Sequence, residues 1–221
     1  MEKLEVNNLI IVESKNDKYF IEAFVHKLNL ENIILKNPIC NIDNYECLSG
    51  IDHLNERLNE IRFDKYKKLG IILDADNVGI GERIEFINKS FKSLCPEIAI
   101  TEINKPYRCK KLDIEIIYYI MNVEGKGELE TVLKVIKSEQ SIYADCLNSW
   151  RECLNENGEN ISDKVFDKFW VNNYLKFDTC SKNDKKQRDR KCNNEVAFKK
   201  NIWNFEHEAL KDLKQFLQLF D

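Results

Sequence analysis

Leu9-Ile10-Ile11-Val12-Glu13-Ser14-Lys15-Asn16-Asp17 and Gly70-Ile71-Ile72-Leu73-Asp74-Ala75-Asp76-Asn77 decide the fold of this chain. Each is a short apolar run that ends in a carboxylate. Continuous apolar runs are the mark of parallel strands covered on both faces, and ligands of such sheets bind beyond the carboxyl ends of the strands. With strands over about 8–13 and 69–73, Glu13, Asp74 and Asp76 meet at one rim. Three carboxylates gathered there repel one another unless a cation stands between them. An oxygen-only donor set selects a hard ion, Mg2+ or Mn2+.

Outward from these two strands the pattern alternates between periods of two and of 3.6 residues. Phe20, Phe24, Val25 and Leu28 predict a helix over 16–29, with Ser14 or Asn16 as its cap. A second strand, 32–36, precedes a loop through Pro38, Cys40 and Asn44. Ile51, Leu54, Leu58 and Ile61 then mark an amphipathic helix. After the turn 77–81 a helix runs to about Leu94, and strands follow over 98–103 and 113–121. Residues 1–122 thus predict an α/β domain, a mainly parallel Rossmann-like sheet flanked by helices. Beyond it, 128–136, 141–154 and 162–174 predict helices, 182–191 a loop, and 205 onward a final helix. That last helix presents Leu210, Leu213, Phe216, Leu217 and Phe220 on one face. Residues 123–221 are expected to form a mainly helical subdomain packed on the sheet.

A strand ending in Glu13, followed by one ending in Asp74-x-Asp76, resembles the Toprim domain of type IA topoisomerases, bacterial primases and overcoming-lysogenization-defect nucleases. Ser49-Gly50-Ile51-Asp52-His53-Leu54 is similar to the glycine turn before that family's middle helix. Gly127-Glu128-Leu129-Glu130 and Ala197-Phe198-Lys199-Lys200 also resemble segments of small stand-alone bacterial Toprim-like proteins. The resemblance implies that Asp74 and Asp76 coordinate magnesium and that Glu13 acts as ligand or general acid–base. It adds Glu130 to the metal cluster, with Glu128 the weaker candidate. Acidic residues also favour the first turn of a helix for dipole reasons alone, which accounts for both glutamates equally well. The implied activity is metal-dependent hydrolysis of DNA or RNA, with a separate ATPase subunit as the controlling partner in a bacterial defence system.

The charge balance constrains that expectation. The 221 residues carry a formal net charge of −4, so nucleic acid must be held by local basic groups or by bound metal. Lys182–Lys191 holds six basic and two acidic residues. Lys182, Lys185, Lys186 and Arg188 are candidate phosphate contacts, as are Lys15, Lys199 and Lys200. No aromatic residue interrupts the run, so base stacking is not expected there, and a solvated loop is the plainer account. The eight cysteines show no Cys-x-x-Cys pairing, which argues against zinc and for reduced thiols packed as small hydrophobes in a cytoplasmic protein. No apolar run approaches the length of a membrane span. No phosphate-binding Gly-x-x-x-x-Gly-Lys-Ser/Thr loop is present, so the chain is not expected to hydrolyse ATP. A second copy of the chain is a further candidate partner. The competing expectation is a non-catalytic Toprim-like module that binds a regulatory protein or a nucleotide. A receiver domain fits less well, because Glu13 is followed by Ser14 rather than by a second acid.

Overall fold

The computed structural model describes residues 7–30, 33–35 and 53–220. Five strands form one sheet in the order β2-β1-β3-β5-β4. They are β1 (Asn7–Val12), β2 (Ile33–Leu35), β3 (Tyr66–Asp74), β4 (Tyr107–Cys109) and β5 (Ile114–Met121). β4 runs antiparallel to β5, and every other pair is parallel. β1 and β3 pair in register through Ile10–Gly70 and Val12–Ile72, and β3 and β5 through Asp74–Met121. The carboxyl ends of β1, β3 and β5 therefore finish at one rim.

Successive side chains alternate faces, and the two faces build two cores. Leu9, Ile11, Leu69, Ile71, Leu73, Ile116, Tyr118 and Ile120 point to one side, where α2 (Leu54–Asn59) and α3 (Ile80–Phe91) cover them. Ile10, Val12, Ile72, Ile117, Tyr119 and Met121 point to the other. There they meet α1 (Lys15–Leu28), α4 (Leu129–Ile136) and residues from the C-terminal helices. Burying each of these side chains contributes ~1.5–3 kcal/mol.

The C-terminal region is helical: α5 (Ile142–Asp145), α6 (Leu147–Glu156), α7 (Asp163–Asn173), α8 (Arg188–Lys191), α9 (Asn194–Ala197) and α10 (Lys211–Gln218). α10 lies over the middle of the sheet, where Phe216 and Phe220 occupy the space above Gly70. Phe205 stacks against Phe20 and Phe24 of α1, with ring centroids 5.8 and 5.3 Å apart. The Asn8 side chain donates to the Phe220 carbonyl at 2.5 Å, so the first and last elements are joined directly.

Several expectations need correction. Residues 98–103 form no strand; Ile98 and Ile100 are buried as loop residues, and the place beside β5 belongs to Tyr107–Cys109. The expected helix 141–154 is divided at Cys146 into α5 and α6. The last helix begins at Lys211, after a short turn at Glu208–Leu210. Segment 182–191 is not an open loop but two helical turns, Asp184–Gln187 and Arg188–Lys191. Cys180 and Cys192 are joined in a disulfide, contrary to the expectation of reduced thiols throughout, whereas Cys95 and Cys109 are free and buried. The glycine turn at 49–52 and the loop through Pro38, Cys40 and Asn44 lie outside the described residues.

Candidate metal centre

The rim is assembled by three strand-to-helix junctions. At the first, β1 ends before Glu13, and Ser14 caps α1: the Asp17 N–H donates to Ser14 Oγ at 3.3 Å, and the Ser14 N–H donates to Asp17 Oδ2 at 2.8 Å. This reciprocal capping turns Asp17 back toward the strand end. At the second, β3 stops at Asp74, whose N–H donates to Glu13 Oε2 at 3.2 Å. At the third, the Asp76 and Gly127 backbones exchange hydrogen bonds of 2.8 and 2.9 Å, which brings the start of α4, with Glu128 and Glu130, against the β3 turn. Gly127 has φ +94°, and a Cβ there would lie 2.7 Å from Thr131 Oγ1, so the approach requires glycine.

Five carboxylates result: Glu13, Asp17, Asp74, Glu128 and Glu130. Burial drives Asp74 well above the usual carboxylate range, and the charges of Asp17, Glu13, Glu130 and Glu128 add to the rise. Burial pushes Asp17 up to about 7, reinforced by Glu13 and Glu130 and opposed by its bonds with Ser14. Glu13 and Glu130 are also raised, chiefly by burial, with Asp76 adding to the first and Glu128 to the second. No Lys or Arg forms an ion pair with Glu13, Asp17, Asp74 or Glu130 among the described residues. Buried carboxylates that crowd together without a counter-ion favour either protons or a metal.

Asp76 is placed differently from Asp74. It lies beyond the end of β3 with φ +46°, so the alternation of strand side chains does not align it with Asp74. Its carboxylate is held by Arg83 and by Lys164 of α7, the latter at 2.7 Å. Lys164 also lies 3.3 Å from Glu128 Oε2, and Lys168 lies 3.5 Å from the same oxygen. Burial opposes the charge on Lys164, but the bond to Asp76 and the charges of Glu128 and Asp76 outweigh it and raise its pKa. Glu128 Oε1, on a residue only 3% exposed, is buried and accepts no hydrogen bond.

The donor chemistry fits a hard divalent cation: the donors are carboxylate oxygens, and one buried acceptor is unpartnered. Among the described residues, no three His, Cys, Asp or Glu side chains stand in metal-ligating geometry. Asp17 is the candidate ligand missing from the sequence reading. Its signal was the Glu13-x-x-x-Asp17 spacing, which carries an acid from the strand end one helical turn back to the same rim.

The family model for DUF3226, described as a protein of unknown function, matches residues 7–221. The chain belongs to the DUF3226 family. No curated protein and no solved structure matches it.

The other candidate residues of this DUF3226 chain are dispersed. Lys15 is exposed on the first turn of α1 and lies over Tyr19. Lys182, Lys185 and Lys186 are exposed on the disulfide-closed segment, and Arg188 stacks on Phe177. Lys199 and Lys200 line a cleft of about 730 Å³ together with Glu22, His26 and Lys27, along the length of α1 and away from the rim. Lys200 is engaged there, 3.1 Å from the Lys191 carbonyl and 3.6 Å from Asp184. Despite its size, that cleft contains none of the rim carboxylates. No helix among the described residues is long and apolar enough to cross a membrane.

Proposed function

We propose that this DUF3226 protein is a Toprim-like, Mg2+- or Mn2+-dependent nuclease that hydrolyses phosphodiesters of DNA or RNA. The supporting observation is the group formed by buried Asp17 and Asp74 and half-buried Glu13 and Glu130, which forms no ion pair among the described residues and sits at the carboxyl rim of a mainly parallel sheet. Glu13 at the end of one strand and Asp74 and Asp76 at the end of the next but one in sequence match the Toprim pattern.

Glu13, Asp17, Asp74 and Glu130 would hold the cation, with Glu128 beside them. When bound, a divalent cation supplies the positive charge that polarises a phosphodiester and lowers the pKa of an attacking water. Glu13, held by the Asp74 N–H, would act as a ligand or accept the proton from that water. Arg83 and Lys164 hold Asp76, and Lys164 and Lys168 bring two ammonium groups to the rim where a phosphate would arrive. A separate ATPase subunit remains the partner that the Toprim likeness suggests, and it would supply control.

The test is hydrolysis of plasmid, linear and single-stranded DNA and of RNA, with Mg2+ or Mn2+, by wild type, Asp74→Asn and Glu13→Gln. The proposal requires metal-dependent cleavage that both substitutions abolish. Wild-type cleavage that persists in both variants would refute the site. A wild type that binds metal but cuts nothing would point to a missing activating subunit, and one that neither cuts nor binds metal would favour the partner-binding module.

A further inference from the structure

α7 continues into a wider π-helical turn, Tyr174–Asp178, that carries Phe177 and Asp178 at the surface. Asp178 accepts the backbone N–H groups of Tyr143 at 2.9 Å and Ala144 at 3.0 Å, which fixes the first turn of α5 against it. The rings of Tyr143 and Phe177 lie 5.9 Å apart at 36°. The Arg188 guanidinium carbon is 4.9 Å from the Phe177 centroid, and Arg188 Nε is buried with no hydrogen-bond partner. This cluster is open to solvent: Tyr143 is 59% exposed and the neighbouring Ile142 65%. A single exposed aromatic is ordinary, but a fixed group of apolar side chains in a highly charged region marks an interaction site.

The surrounding charge is unbalanced. The Cys180–Cys192 disulfide closes the segment that carries the basic run. Both of its acids are engaged, Asp184 with Lys200 at 3.6 Å and Asp189 with Lys176 at 3.9 Å, and Asp178 just before it is bonded to the α5 backbone. Lys182, Lys185, Lys186, Arg190 and Lys191 are exposed and pair with no carboxylate among the described residues. A polar cleft of about 380 Å³ joins this segment to the start of α1; Lys15, Asn16, Asn172, Lys176 and Asn193 line it, together with the carboxylates Asp189 and Glu195. Lys15 and Asn16 lie two and three residues after Glu13, on the turn that leaves the carboxylate rim.

We propose that Tyr143, Phe177 and Arg188, with the disulfide-closed basic segment, form a grip for single-stranded nucleic acid whose backbone follows the polar cleft toward the rim. Exposed rings beside unpaired cations suit a strand with accessible base faces, whereas a duplex keeps its bases stacked inside. The link to catalysis rests on the nuclease reading; the grip itself requires no cutting.

The experiment is fluorescence anisotropy in EDTA with no reductant, using a labelled mixed-sequence oligonucleotide as single-stranded DNA, single-stranded RNA or DNA duplex. Wild type is expected to bind a single strand at least ~tenfold tighter than duplex. Tyr143→Leu, which keeps bulk but loses the ring, should weaken single-strand binding ~tenfold, and Tyr143→Phe should retain it. The Lys185→Glu, Lys186→Glu pair should weaken binding and flatten its salt dependence. Equal affinity for duplex, no binding, or unchanged binding by a folded Tyr143→Leu protein would overturn the grip. Metal-dependent cleavage without single-strand preference would remove the grip and leave the nuclease standing. Binding as described by a protein that neither cleaves nor binds Mn2+ would support the grip and remove the nuclease.

Discussion

Lys164 Nζ lies 2.7 Å from Asp76 Oδ1, across 88 residues of sequence. Because the same ammonium also approaches Glu128, a protein cation neutralises one side of the acidic rim while Asp17, Asp74 and Glu13 on the other side have none. Lys164→Met should therefore expose Asp76 and Glu128 to any divalent cation. Calorimetric titration with Mn2+ should show several-fold tighter binding than wild type, with the thermal midpoint of the metal-free variant lowered at neutral pH. Weaker Mn2+ binding would mean that Lys164 supports the site rather than competing with it.

Asp17 gives a pH dependence with a defined sign. Its carboxyl keeps its proton up to about 7 when folded and releases it in the ordinary carboxylate range when unfolded. The folded state thus binds the extra proton, and the contribution of Asp17 to stability falls as pH rises from about 4 to 7. Asp17→Asn should match the metal-free wild type near pH 4 and exceed it above pH 7, by an amount on the order of a few kcal/mol. Thermal melts in EDTA across this range would show the widening difference. Saturating Mn2+ should narrow it by stabilising wild type more than the variant.

Gly70 is the place where the sheet admits α10. An added Cβ would lie 2.7 Å from Phe220 Cζ and 2.8 Å from Phe216 Cζ, and both rings are fully buried. Gly70→Ala should lower stability by ~1–3 kcal/mol, as overpacked cores do. Chemical denaturation should detect the loss, and Mn2+ affinity of the folded fraction should be unchanged.

The Cys180–Cys192 bridge closes a loop over a sequence separation of 12. Replacing both cysteines with serine should cost ~2–3 kcal/mol through the greater freedom of the unfolded chain. Hydrogen exchange should show the largest loss of protection within 180–192, with the sheet amides unaffected.

The parallel sheet was legible because its strands are buried on both faces, leaving nearly unbroken runs such as Leu69–Leu73. The same logic misled at 98–103. Ile98 and Ile100 are buried as a strand would bury them, but β5 takes its edge partner from Tyr107–Cys109, a three-residue segment too short to announce itself. Glu13 and Asp74 were legible as strand-end acids. Asp17 was not, because an acid three residues after a serine has the pattern of a helix cap; it serves as one here, and its burial among other carboxylates appears only in three dimensions. Lys164 and Tyr143 were invisible for a related reason. Their partners Asp76 and Phe177 lie far away in sequence and are brought close by α7 and the turn that extends it.

The most direct test of the carboxylate rim is Mn2+ binding followed by electron paramagnetic resonance, comparing wild type with Asp74→Asn and Asp17→Asn. Bound Mn2+ in wild type, absent in Asp74→Asn and at least ~tenfold weaker in Asp17→Asn, is the predicted result. Wild type that leaves Mn2+ free, or that binds it equally well after both substitutions, would contradict the assignment of this buried group as a metal centre.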